Sequence, residues 1–199
     1  MIDLILLEKQ MAEQLDEYRM AHTLSVKDEC KRLADLFSFS HEDTVLLLQA
    51  ALLHDCTKPL RYNEQLRLAD EMGILLTDDD RSSPAVLHSI TGAKVAKIRF
   101  NASDKVANAI ACHTTGKENM SLMEKLLFLA DYIEPTRTFD DCIRVRKYFY
   151  EECASFPLME RLNFTLLLAF DLTIAQLLDE KRPIHPQTVK SRNFLLKKS

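Results

Sequence analysis

Three glycines, Gly73, Gly92 and Gly116, are all that this chain of 199 residues contains, and that scarcity restricts its backbone more than any other feature. Nucleotide folds that grip phosphate with main-chain amides do so through clustered glycines, which alone tolerate the tight turn and close approach. No Gly-x-Gly-x-x-Gly fingerprint and no Walker-type loop occurs here, so the Rossmann and kinase readings lose their main support. The positions left over are rich in Leu, Ala, Glu, Lys and Met. These residues favour helix, and few segments alternate as strands do. The expected fold class is all-α, an irregular helical bundle. At roughly 100 to 200 residues per domain, the chain reads as a single domain over 1–199, with the C-terminal helices closing or supporting the core.

Composition narrows the partners. With 47% hydrophobic and 28% charged residues, a core of this size is stable without disulfides or a structural metal. The 26 Lys and Arg against 30 Asp and Glu leave a formal charge of −4, which gives no reason for broad binding to a polyanion. No nucleic-acid partner is expected. Cys30, Cys56, Cys112, Cys142 and Cys153 are odd in number and contain no Cys-x-x-Cys pair, a usage that fits reduced thiols in the cytoplasm and removes zinc ribbons and redox pairs. Met1-Ile2-Asp3 is followed by an apolar run only from Leu4 to Leu7, without the basic segment of a signal peptide. Glu, Lys or Asp interrupts every stretch approaching the roughly 18 to 20 apolar residues of a membrane span, so no membrane association is expected.

Capping residues divide the chain into helices. Ser40 is placed to cap a helix over 41–56, with Asp43 as the acidic member of a capping box. Ser83-Pro84 reads as a cap with a first-turn proline, Ser103 opens another helix, and Ser121 with Glu124 opens a third that Pro135 ends. Gly73 and Gly116 read as helix stops. Amphipathic segments over 140–153, 157–180 and 185–198 complete the pattern. Leu166, Leu167, Phe170, Ile174, Leu177 and Leu178 form a stripe suited to a core or to a subunit face, which keeps a homodimer open.

Two imidazoles and two carboxylates stand out against this background. His22 shares its helical face with Val26, Leu33 and Phe37, so its ring points inward. His54-Asp55 closes the apolar run Leu46-Leu47-Leu48-Gln49-Ala50-Ala51-Leu52-Leu53, and Asp131 closes Lys125-Leu126-Leu127-Phe128-Leu129-Ala130. A carboxylate in such a place is costly to bury without a partner, and a metal supplies one. This nitrogen and oxygen set suits Fe, Mn, Zn or Ni. His88 and His113 fall between the two carboxylates in the chain. Any one of these histidines alone would read as a hydrogen-bonded core residue.

The order His, His-Asp, Asp along a helical chain resembles that of the HD-domain metal-dependent phosphohydrolases. The likeness extends to Arg19-Met20-Ala21-His22-Thr23-Leu24-Ser25-Val26, Ala50-Ala51-Leu52-Leu53-His54-Asp55-Cys56-Thr57-Lys58, His88-Ser89-Ile90-Thr91-Gly92-Ala93, His113-Thr114-Thr115-Gly116 and Ala130-Asp131-Tyr132-Ile133-Glu134-Pro135-Thr136-Arg137. These look like the YqeK subgroup, and the resemblance runs from Arg19 through Arg192-Asn193.

That resemblance implies symmetrical cleavage of diadenosine tetraphosphate to two ADP, with iron in the site and a dinucleoside polyphosphate or nucleotide as the bound partner. It assigns metal binding to His22, His54, Asp55 and Asp131, with one or two ions left open. His88 and His113 complete a second metal shell or bind phosphate. Asp55 orients the attacking water, while Lys58 and Arg137 neutralise phosphate charge, Arg137 through a bidentate fork. The tail 182–193 closes the nucleotide pocket, with His185 as a substrate contact or as a structural helix-start residue. The acidic segment around Asp78-Asp79-Asp80 has no recognised counterpart. An HD-type nucleotidase, a cyclic-nucleotide phosphodiesterase and a noncatalytic nucleotide-binding protein are the competing readings.

Overall fold

The structure is a computed structural model that describes residues 3–197. Its element order is α1 (Leu4–Gln14), α2 (Glu17–Leu36), α3 (His41–Leu53), α4 (Tyr62–Glu71), α5 (Asp78–Ser82), a 3-10 turn (Pro84–Val86), α6 (Leu87–Arg99), α7 (Asp104–Cys112), α8 (Leu122–Ile133), α9 (Asp140–Lys147), a π turn (Tyr148–Glu152), α10 (Leu158–Asp179) and α11 (Pro186–Leu196). No strand occurs among the described residues.

Local chemistry starts most of these helices where the sequence placed them. Asp3, Asp16, Ser40 and Ser103 each accept a backbone N–H of the first turn they precede. Ser121 and Glu124 satisfy each other's backbone donors in a capping box, and Pro135 follows directly on the end of α8. Asp43 departs from the expected box: its carboxylate accepts the Ser40 hydroxyl at 3.0 Å. Ser83 makes no side-chain cap, because Pro84 opens a 3-10 turn before α6 begins. The 140–153 segment is α-helical only as far as Lys147 and then widens into the π turn. The described part of α11 ends at Leu196, and Lys198 of the expected 185–198 segment lies outside the described residues.

The helices pack around a core whose largest fully buried side chains include Leu33, Leu47, Leu53, Ile110, Leu127, Phe149 and Phe170. α2 lies against α3 and α8, α7 lies against α6, α3 and α8, and α10 joins α8 to α11. The middle of α8 and the middle of α10 meet through Phe128 and Phe170, whose ring centroids are 4.7 Å apart. By length and composition α10 is apolar enough to cross a membrane, although Asp171 interrupts its apolar run as the sequence reading expects. Its composition reflects packing instead: Leu162, Leu166, Ala169 and Phe170 are buried, while Leu167, Ile174 and Leu177 are half-buried and Leu178 is exposed. The apolar stripe is therefore core along its first half.

Gly116 joins the end of α7 to this arrangement at φ +62, and a Cβ there would sit 2.5 Å from Phe170 Cζ and 3.0 Å from Ser191 Oγ. Gly73 has φ +65 with nothing within 4 Å. Replacing Gly73 by Ala should therefore cost only the left-handed strain, about 1 kcal/mol. The Gly116→Ala change adds overpacking of about 1–3 kcal/mol to that strain. Urea unfolding of the two variants checks the difference, which disappears if the α7, α10 and α11 junction is loose.

Candidate metal centre

Four helix ends and one helix face converge on a single buried cluster. α3 stops at Leu53 rather than at the expected Cys56, and residues 54–59 continue as turns. Lys58 N–H donates to Asp55 O and Leu60 N–H to Thr57 O, while Pro59 has no N–H to extend a helix. This tightening swings Asp55 out of the helical path and toward the interior. His88 enters from the first turn of α6, and His113 is the C-cap of α7. His22 comes from the buried face of α2, and Asp131 from the last turns of α8.

Hydrogen bonds fix the imidazoles in one sense. His54 Nδ1 donates to Ala51 O and His113 Nδ1 donates to Ile110 O, both at 2.7 Å, while His22 Nδ1 donates to Glu134 Oε1 at 3.1 Å. With the ring proton committed at Nδ1, each Nε2 presents its lone pair to the centre. There His22 Nε2 and His54 Nε2 lie 3.4 Å apart, and His88 Nε2 and His113 Nε2 lie 3.1 Å apart. Asp131 Oδ1 is 3.1 Å from His22 Nε2, and Asp55 Oδ1 is 3.2 Å from His88 Nε2.

This crowd of acceptors is what a cation satisfies. The ligand atoms fall into three overlapping sets, each within 4.8 Å: His22, His54 and Asp55; His54, His113 and Asp131; and Asp55, His88 and His113. All six sequence-predicted donors thus meet, and His113 shares a set with His54 and Asp131 as well as with His88. The donors are imidazole nitrogen and carboxylate oxygen, a mixture that fits a divalent first-row ion.

Electrostatics keep Asp55, Asp131 and His113 in their ligating forms. Burial opposes charge on Asp55, yet His54 and His88 hold its carboxyl well below the usual range. Burial likewise opposes charge on Asp131, and the Arg137 guanidinium overrides it. Burial, with His88 and His54 alongside, pushes His113 down to about 3. His22 is the exception: burial would lower it, but its bonds to Asp131 and Glu134 win and raise it to about 9, so its Nε2 gives up a proton when a cation binds.

Beside the cluster lies a cleft of about 300 Å³. Its floor carries Asp55, His88, His113 and Asp131, and its walls carry Lys58 and Arg137. The Lys58 ammonium stands 3.3 Å from His88 Nε2. Arg137 Nη2 donates to Asp131 Oδ1 at 2.6 Å, so it secures a donor as well as facing the cleft. Phe128, Tyr132, Leu177 and Pro183 supply apolar surface farther out. His185 lines the cleft too, but both ring nitrogens are engaged: Nδ1 accepts Gln187 N–H at 3.2 Å, and Nε2 meets Asp80 Oδ1 at 3.1 Å. Within the acidic segment without a recognised counterpart, Asp80 thereby has a structural partner. Thr77 caps α5 and grips Asp80, and Asp80 fastens that wall to the start of α11.

Two functional side chains lay inside the quoted motifs without an assigned role. Arg19 Nη1 donates to Asp55 Oδ2 at 2.7 Å, and Glu134 orients His22. Both stand three residues from a cluster member on the same helix or its cap, Arg19 before His22 and Glu134 after Asp131. A search for polar residues one helical turn from each candidate ligand would have found them.

Comparison with known proteins adds independent findings. The HD domain family matches residues 19–136, which span the whole cluster. A protein of Halalkalibacterium halodurans named symmetrical bis(5'-nucleosyl)-tetraphosphatase is 35% identical over 92% of this chain and 91% of its own. A Bacillus subtilis protein of the same name is 30% identical over 92% of each chain. The crystal structure of a predicted HD superfamily hydrolase involved in NAD metabolism, from Clostridium acetobutylicum, superposes with a TM-score of 0.87 at 33% identity and covers 100% of both chains.

A cation bound among these donors should stabilise the folded state by mass action, about 2.7 kcal/mol at a hundredfold excess over its Kd. Scanning calorimetry with and without manganese(II) should show this as a rise in Tm. The rise should vanish in His54→Ala and in Asp55→Ala, and its persistence in both variants would refute the centre.

Proposed function

The chain belongs to the HD domain family, and from that premise we propose that it is a metal-dependent phosphohydrolase cutting diadenosine tetraphosphate symmetrically into two ADP. The observation that carries this reading is the convergence of imidazole lone pairs and ionised carboxylates on the floor of a cleft walled by Lys58 and Arg137. The two relatives named as symmetrical tetraphosphatases support the choice of linkage.

His22, His54, Asp55 and Asp131 hold the ion in this proposal, with His88 and His113 free for a second ion or for phosphate. A bound divalent ion, which we take to be iron, supplies polarisation of a phosphoryl oxygen and a lowered pKa for water. The protein supplies the rest. Asp55, held ionised, accepts a hydrogen bond from the attacking water and fixes its direction. Lys58 and Arg137 place positive charge along the wall, where the phosphate chain carries its negative charge. The apolar outer wall, with Phe128 and Tyr132, suits a nucleobase.

Holding one half of the substrate in the cleft sets the register. About 300 Å³ lies at the lower end of small-molecule sites, which is room for one nucleotide half while the other extends into solvent. The half held in the cleft brings two phosphates to the floor. Attack by water at the second of these releases the other half as ADP and leaves ADP bound. Burial and the Asp55 charge push the neighbouring Cys56 thiol up to about 12, which disfavours it as a nucleophile. All five cysteines are free, in keeping with a reducing, cytoplasmic setting.

Early time points of the reaction with diadenosine tetraphosphate should contain ADP as the sole nucleotide product. Activity should be lost to a chelator and restored by ferrous iron. Equimolar AMP and ATP, separated by chromatography, would reject the symmetrical reading, and no turnover with any metal would favour a noncatalytic binding protein.

Replacing Arg137 by Ala removes a charge-assisted contact worth about 1.5–3 kcal/mol. It should therefore lower kcat/KM roughly 10- to 100-fold. Unchanged kinetics across a panel of nucleotides would return Arg137 to a purely structural role.

A further inference from the structure

The end of α8 carries more of the metal centre than its own ligand. Asp131 lies in its last turns, Glu134 is its C-cap, and Arg137 follows in the turn that Pro135 forces. Glu134 accepts hydrogen bonds through both its side chain and its carbonyl. Oε1 accepts His22 Nδ1–H at 3.1 Å and the Thr136 hydroxyl at 2.7 Å, Oε2 accepts Thr136 N–H at 2.6 Å, and the carbonyl accepts Arg137 N–H at 3.1 Å. Two side chains that orient the cluster, Glu134 on His22 and Arg137 on Asp131, therefore hang from one four-residue turn.

Such a turn is a weak place to anchor ligands. The last carbonyls of a helix have no intrahelical donor, and a following proline contributes none. Here Arg146, reaching across from α9, supplies the donors. Its Nε donates to Ile133 O at 2.6 Å, and its Nη2 donates to Glu134 O at 2.5 Å and to Arg137 O at 2.9 Å. Among the described residues it makes no ion pair. Its charge is met by carbonyls at the negative end of the helix dipole, where a cation is favoured. Cys142 and Val145, buried on the same helix, fix the face of α9 from which it reaches.

We infer that Arg146 is a positioning residue of the metal centre: by clamping the Ile133, Glu134 and Arg137 carbonyls it sets the geometry through which Glu134 orients His22 and Arg137 secures Asp131. This rests on the reading of the cluster as a metal site. It follows that Arg146 touches neither metal nor substrate, and that its contribution depends on the planar fork rather than on charge alone. A lysine keeps the charge at the helix end but presents a single nitrogen, which cannot supply the separate Nε contact to Ile133 O beside the Nη2 contacts to Glu134 O and Arg137 O.

The test uses the full chain stripped of metal and titrated with manganese(II) by calorimetry. Thermal unfolding and steady-state kinetics are recorded in parallel. Loss of an orienting group behind a metal ligand typically weakens metal binding about 10- to 100-fold. Arg146→Lys should show a weakening of that order, with near wild-type unfolding and a kcat that recovers as manganese is raised. Arg161→Ala is the structural control. Arg161 lies 4.1 Å over the Phe149 ring in the same region and, among the described residues, makes no hydrogen bond or ion pair with the α8 turn. It should lose stability and keep its metal affinity.

Wild-type affinity in Arg146→Lys would overturn the inference, as would an equal loss of affinity in Arg161→Ala, which would show general loosening. If the wild-type chain itself binds no divalent ion, the metal reading fails first and the inference falls with it. A wild type that binds metal beside a lysine variant that binds equally well would reject Arg146 alone.

Discussion

Two carboxylates forced to stay ionised in the interior are the constraint around which the rest of the molecule is arranged. Asp55 and Asp131 are surrounded by apolar helix, and neither is allowed to take up a proton. Desolvation of this kind costs several kcal/mol per ion unless charge of the opposite sign and good hydrogen-bond geometry compensate. The compensation comes from elements far apart in the chain: Arg19 of α2, His88 of α6 and Arg137 after α8. Every one of these must be in place together, which ties the fold to the site.

The helices serve this end through their termini. A helix interior satisfies its own backbone, so a side chain there can point inward but cannot approach another helix closely. At an end the chain turns, and a ring such as His54 or His113 folds back to bond a carbonyl three residues earlier in its own helix. That bond commits Nδ1 and turns Nε2 toward the centre. A single local device, repeated at α3 and α7, aligns two rings with no need for a dedicated scaffold of outer carboxylates. His22, in mid-helix, lacks this option and depends on Glu134 instead.

The cleft depends on longer-range fastening. Its floor sits on core helices, whereas its outer wall is built from the short α5, the 3-10 turn and the approach to α11. Asp80 and His185 join those pieces. Close packing at Gly116, with Phe170 on one side and Ser191 on the other, seats α10 and α11 against the end of the helix that carries His113. Substrate-facing and metal-facing parts are thus braced by the same C-terminal helices.

The sequence by itself determined the helical class, most helix starts and the identity of the donors. Capping residues such as Ser40, Ser103 and Ser121 act within one turn, and an aspartate after an apolar run announces a buried charge whatever lies around it. The resemblance carried by residues 19–137 added the expected chemistry. Boundaries set by competition were less legible: α3 ends at Leu53 because Pro59 and successive three-residue hydrogen bonds outweigh the helical pattern that reaches Cys56. Only the tertiary structure decided which groups meet. That His113 shares donors with both Asp131 and His88, that Arg19 secures Asp55, that Asp80 holds His185 and that Arg146 closes the end of α8 all depend on contacts between distant elements. Residue type and spacing report what a side chain can do within its own helix, and packing alone reports what stands opposite it.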